Sequence, residues 1–239
     1  MTNALDISHF TELTSGPLTA EALERCAERQ VKKFVVSIAD QGVARRQIEA
    51  IAQSPWQFEI ETYRYYYWGS MRFTREDDAR FIDEIRRNAY SLQFHWLDHE
   101  DTSVRQPVEA NVYDINDMVN FWAGKCRTGI YTAKWWWEDY MQNYDGFSYM
   151  PLWFAQWDWA ETLELAVPFG GWTRGAMKQT MGDVYLDGIL WCDTDYYEAA
   201  PAPPTIVVPQ AQWDSLRALL EGAKITIDTA RELAGKIGG

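Results

Sequence analysis

Cysteine is scarce: Cys26, Cys126 and Cys192 are an odd number with no short spacing, which excludes a disulfide framework and a cysteine-based zinc site. All three are expected to be reduced, buried and inert. No stretch approaches the 18 apolar residues of a membrane span, and the opening MTNALDISHF has neither a basic start nor the apolar run of a signal peptide. The reading is a soluble chain, made in the cytoplasm without a signal peptide, that engages no membrane. Positive charge is also short: 22 Lys and Arg against 35 Asp and Glu give a formal charge of −13, which repels phosphate backbones and anionic lipid and argues against nucleic acid as a partner. An uncharged sugar, or a neutral or cationic ligand, suits such a surface better.

What is abundant is aromatic: 13 Trp, 13 Tyr and 10 Phe in 239 residues, within an otherwise ordinary globular composition. Residues 1–198 alternate short β-rich runs with helical patterns, the signature of βαβ units. Strands are expected at 4–8, 32–39, 57–65, 91–100, 127–133, 151–157, 176–180 and 187–192, with helices near 19–30, 43–54, 74–90, 112–125 and 134–143. VPFGGWTRG reads as loop. The fold class is therefore α/β, an irregular (β/α) TIM-like barrel of about eight strands occupying 1–198.

EAAPAPPTIVVP marks a Pro-rich linker over 199–208, followed by a helical tail at 209–239. Apolar residues recur there at a spacing of three or four from Trp213 through Leu216, Leu220, Ala223 and Ile227 to Ile237. Two arrangements fit this stripe: a coiled coil that makes a homo-oligomer through 209–238, or a helix packed back on the barrel.

Chemistry in such a barrel sits at the carboxyl ends of the strands, which selects Asp6, Asp40, Asp98, Glu100 and Asp193. In SLQFHWLDHED, alternation sends Leu92, Phe94, Trp96, Asp98 and Glu100 to one face and Gln93, His95, Leu97 and His99 to the other. Carboxylates at i and i+2 lie roughly 6.5–7 Å apart along a strand, so their charges couple and one pKa rises. One acid and one base is what glycoside hydrolysis requires. The alternatives are a solvated strand end, a salt-bridged pair, or a metal site drawing on His95 and His99. The strand phase argues against the metal, because it puts both histidines on the face away from the carboxylates. Aromatics crowd the same rim: Tyr63, Tyr65 and Tyr67, Trp135 to Trp137, and Trp153, Trp157 and Trp159, as sugar platforms or as core.

In this order LDIS, YRYYYWG, WLDHE, RTGIYTAKWWW, PLWFAQW and LDGILWCDTDYY resemble segments of the family 25 glycoside hydrolases, lysozymes that act as N-acetylmuramidases, over about residues 4–197. The resemblance implies Glu100 as general acid and Asp98 as stabiliser of the charged intermediate, orienting the substrate's acetamido group, with Asp6 and Asp193 completing an acidic floor. It implies Tyr63, Tyr65, Trp135, Trp157 and Gln179 as substrate-binding residues, peptidoglycan glycan strands as partner, retention of configuration, and no cofactor or metal. Lys178, Gln179 and Thr180 depart from the family's W-Q-Y, of which only Gln179 is kept. The segment after Glu100 and PFGGWTRG have no clear counterpart. A phage endolysin or virion-associated lysin acting on the bacterial wall is the expected setting. The competing expectation is a catalytically weak glycan-binding or structural module of a phage particle, oligomerised through the tail.

Overall fold

A computed structural model describes residues 3–198 apart from 68–70, 89 and 91. The linker and tail, 199–239, and with them the proposed oligomerisation stripe, lie outside the described residues.

Eight strands close a barrel. In chain order the first elements are β1 (Ala4–Ile7), α1 (His9–Ser15), α2 (Ala20–Glu28), β2 (Lys33–Ser37), α3 (Gln41–Gln53), β3 (Glu59–Tyr65), α4 (Met71–Arg87) and β4 (Leu92–Asp98). Then follow α5 (Val108–Trp122), β5 (Arg127–Ala133), α6 (Lys134–Met141), β6 (Leu152–Ala155), β7 (Glu164–Phe169), β8 (Trp172–Arg174), β9 (Met177–Leu186) and β10 (Leu190–Tyr197). Around the barrel the order is β1-β10-β9-β6-β5-β4-β3-β2. Every neighbouring pair is parallel except those of β10, which runs antiparallel to both β1 and β9.

Alternation along the strands sorts side chains into two layers. Ala4, Val35, Phe94, Trp96, Tyr131, Trp153, Met177 and Tyr197 fill the interior. The other face buries Leu5, Ile7, Phe34, Val36, Leu97, Ile130 and Phe154 against helix residues such as Leu23, Ile48, Ile85 and Met118. At the amino-terminal end of the strands Glu61 accepts from the Trp96 indole at 2.6 Å and pairs with the Lys33 ammonium at 2.5 Å.

Several expectations need correction. Leu92 belongs to the outer cluster, because the β3–β4 register shifts between Ile60↔Leu92 and Thr62↔His95 and reverses the alternation before Phe94. VPFGGWTRG is not a loop: Gly170 and Gly171, at φ 55° and 76°, turn β7 into β8 as a two-residue hairpin. Its Phe169 and Trp172 are buried, the Trp172 ring 4.9 Å from that of Trp137. Helix α1 was not expected; Ser8 caps it, accepting from Phe10 N–H at 3.1 Å, while Thr11 Oγ1 accepts from Ser8 N–H at 3.0 Å. The last two strands are longer than 176–180 and 187–192 and form an antiparallel pair. Asp40 caps α3, its Oδ1 accepting from Val43 N–H at 3.0 Å, and its exposed side chain is absent from the barrel mouth residues described below.

Candidate active site

The antiparallel course of β10 brings its acids to the floor. Asp6, near the carboxyl end of β1, is in register with Asp193, which therefore lies in mid-strand rather than at the end of a parallel strand. Gln179 of β9 joins the two, its Nε2 donating to Asp6 Oδ2 at 3.1 Å and to Asp193 Oδ2 at 2.9 Å. Its Oε1 accepts from the Tyr131 hydroxyl at 3.0 Å and from the Trp157 indole at 2.9 Å. Both amide protons and both lone pairs of this buried side chain are thus engaged, which fixes the amide and gathers acids and aromatics about one group. Asp193 Oδ1 accepts from Asp183 N–H at 2.6 Å.

Asp98 ends β4 on the inward face; it is buried, and its Oδ1 has no hydrogen-bond partner among the described residues. Two residues on, Glu100 lines a cavity of about 490 Å³ with Tyr131, Trp135, Trp157, Gln179 and Asp193. The loop after it is held by Asp101, whose carboxylate accepts from Ser103 N–H and from the Ser103 hydroxyl, each at 2.8 Å, and whose carbonyl accepts from the Trp136 indole at 3.1 Å.

Burial shapes the electrostatics first. Glu100 is pushed up to about 7 by loss of solvent and then by the charge of Asp193. Burial takes Asp193 up to about 6, opposed by the Asp183 N–H. Asp98 lies well above the ordinary carboxylate range through burial and the charge of Glu100. Burial and the charges of Asp193 and Asp195 do the same to Asp6. The charge of Glu100 disfavours a second charge on Asp98, and Glu100 itself keeps its proton up to about pH 7.

Sequence reasoning missed Asp195. It is fully buried on the inward face of β10, and its Oδ1 accepts from the Trp153 indole at 2.9 Å. The D-T-D alternation carries the signal, but the expected strand stopped at Cys192.

The aromatics divide. Trp136, Trp137 and Trp153 are core. Tyr63 sits edge-on to Trp153 at 5.7 Å, its hydroxyl 3.5 Å from Asp6 Oδ1, and Tyr65 packs against Tyr67 at 4.7 Å. Trp135, Trp157 and Trp159 are each more than half exposed. His95 and His99 do face away from the carboxylates. His95 lies 3.0 Å from the Thr62 hydroxyl and 3.2 Å from that of Tyr66, its ring 4.5 Å from Trp122, and burial lowers both histidines to about 3.

Fold and site together define an irregular (β/α) barrel whose mouth is floored by carboxylates and walled by aromatics. No family model matches the chain. It is similar to two curated proteins of Dictyostelium discoideum. "Probable GH family 25 lysozyme 5" is 38% identical over 76 residues, 32% of this chain and 35% of that protein. "Probable GH family 25 lysozyme 4" is 32% identical over 102 residues, 42% of this chain and 46% of that protein. The matches thus span less than half the length of those relatives. Among solved structures the barrel resembles the catalytic domain of the endolysin ply40 from bacteriophage P40 of Listeria monocytogenes, with TM-score 0.56 at 12% identity over 82% of this chain and 92% of that one. It also resembles the modular Cpl-1 endolysin complexed with a peptidoglycan analogue, with TM-score 0.52 at 15% identity over 84% of this chain and 55% of that one. At such identities the structures show a shared fold. The likeness to family 25 lysozymes is in stretches of the sequence, and the barrel shares its fold with the catalytic domain of an endolysin.

Proposed function

We propose that the chain hydrolyses peptidoglycan, cleaving the β-1,4 bond after N-acetylmuramic acid, as a lysin of phage origin acting on the bacterial wall. The observation that carries this reading is the acid pair at the end of β4: Glu100 lines the cavity with a carboxyl raised to about 7, and Asp98 is buried beside it. The named lysozymes with similar sequence support it, as does the fold shared with an endolysin that binds a peptidoglycan analogue.

In this mechanism Glu100 gives its proton to the leaving glycosidic oxygen as the bond to the anomeric carbon breaks. In the reactive form the proton of the pair is on Glu100 and Asp98 is the carboxylate, which accepts from the N–H of the sugar's acetamido group and orients it. The acetamido oxygen closes on the anomeric carbon, and the positive charge spreads over the resulting ring. Glu100, now a carboxylate, takes a proton from water as the water oxygen attacks the same carbon and the bond from that carbon to the acetamido oxygen breaks, which regenerates the acetamido group, retains configuration and restores the acid. Asp193, tied to Asp6 through Gln179, keeps negative charge on the floor where positive charge develops. Tyr63, Tyr65, Trp135 and Trp157 offer ring faces and hydroxyls to the glycan, and Gln179 acts through the groups it holds.

Reducing-end release from purified peptidoglycan tests the reading. Wild type is expected to release ends, and Glu100→Gln and Asp98→Asn to fall by roughly 10²–10⁴-fold, the usual contribution of such a group. Equal release by wild type and Glu100→Gln would remove Glu100 as the acid.

A further inference from the structure

Lys178 is on the outward face of β9, between the inward Met177 and Gln179, and is completely buried. Its ammonium pairs with Asp158 and donates to the Ala160 carbonyl at 3.0 Å. Asp158 accepts in addition from Ala160 N–H at 2.9 Å and from the side-chain amide of Gln156. A buried lysine is an expensive way to gain stability, since desolvation offsets much of the attraction and an aliphatic pair often does as well. What this one does is tie segment 156–160 to the barrel.

That segment holds two exposed indoles two residues apart, Trp157, which lines the cavity, and Trp159, 58% and 56% exposed. Trp159 has φ 57°, left-handed backbone that a bulky residue adopts only when its surroundings impose it. Trp157 is fixed twice: its Nε1 donates to Gln179, and its ring lies so close to Gly182 that a Cβ there would come within 2.6 Å of it. Its backbone is held between Gln156 N–H, which donates to the Gln179 carbonyl at 3.1 Å, and the Lys178 clamp.

We infer that Lys178 and Asp158 are positioning residues that preset Trp157 and Trp159 as a stacking platform for uncharged pyranose rings of the glycan. The inference rests on the glycosidase reading. Ordering the loop beforehand removes the entropy cost of ordering it on binding, so the clamp acts on affinity and leaves the proton chemistry alone.

The test uses the full chain with Glu100→Gln, so that binding is read without turnover, and a tetrasaccharide of alternating N-acetylglucosamine and N-acetylmuramic acid, titrated by tryptophan fluorescence. Lys178→Met is expected to raise Kd roughly tenfold and to deprotect the amides of 157–160 in hydrogen exchange. In otherwise wild-type chains KM rises by a similar factor while kcat stays within about twofold. Lys178→Met with Asp158→Leu removes both charges; it recovers the melting temperature lost in the single variant and leaves Kd weak. Gly182→Ala, which pushes on the ring with the pair intact, weakens Kd as well and serves where Lys178→Met does not fold. If the double variant binds as tightly as its parent, the pair is structural only and the inference falls. If the parent and wild type neither bind nor cleave glycan, the glycosidase reading falls, and the platform with it.

Discussion

Replacing Glu100 with Gln should cut cleavage by roughly 10²–10⁴-fold and yet stabilise the fold, by an amount that depends on pH. The Glu100 carboxyl titrates near 7 in the folded chain against an ordinary value of 4.5, mainly because it is buried and then because Asp193 is near. Below pH 4.5 the group is neutral whether folded or unfolded, and burial costs it little. As pH rises the unfolded chain ionises first and is favoured, so stability falls through this window until the folded group also ionises near 7. The whole span corresponds to on the order of 3 kcal/mol. Glutamine keeps the shape and never ionises. The variant should therefore match wild type near pH 4 and exceed it at pH 8 by on the order of 3 kcal/mol, or roughly 6–12 °C in Tm for a domain of this size. Calorimetry of both chains at pH 4, 6 and 8 measures the difference. A gap that fails to widen with pH, or a variant less stable than wild type at pH 8, would refute the claim that Glu100 is held protonated by its surroundings.

The same titration should give cleavage by the wild type an alkaline limb near pH 7, and Asp193→Asn should move that limb to lower pH by removing the second cause of the raised Glu100 value. A limb that stays in place in a pH–rate profile would exclude that coupling. Trp153→Phe takes the indole donor from Asp195 Oδ1 and should cost about 1–3 kcal/mol in urea unfolding, with no loss expected if Asp195 finds another donor. If residues 209–238 assemble the protein, Leu220→Asp with Ile227→Asp should leave a monomer by light scattering, and an unchanged mass would rule that role out.

Much of the barrel was legible because its strands are short apolar runs with clear phase. β5 occupies Arg127–Ala133, as expected, and the alternation of HWLDHE correctly places Asp98 inward with His95 and His99 outward. The polar outward face, at odds with a helix-covered strand, is explained by a buried hydroxyl and ring network of Thr62, Tyr66 and Trp122 around His95. What could not be read was set by pairing between distant residues. The direction of β10 depends on its partners, and so does the placing of Asp195; the register shift ahead of Phe94 exists only against β3. Lys178 is uninformative as a letter in K-Q-T, since its partners Asp158 and Ala160 are brought to it by the fold. VPFGGWTRG read as loop, and only the fit of its paired glycines to a hairpin makes strands of the flanking residues.

The bond cleaved is the most direct test of the account. Peptidoglycan digested by the wild type and then reduced with borohydride should yield, by mass spectrometry, new fragments ending in reduced muramic acid, and Glu100→Gln should yield them at a rate lower by roughly 10²–10⁴-fold. New ends of reduced glucosamine, or no new ends from folded wild-type protein, would contradict it.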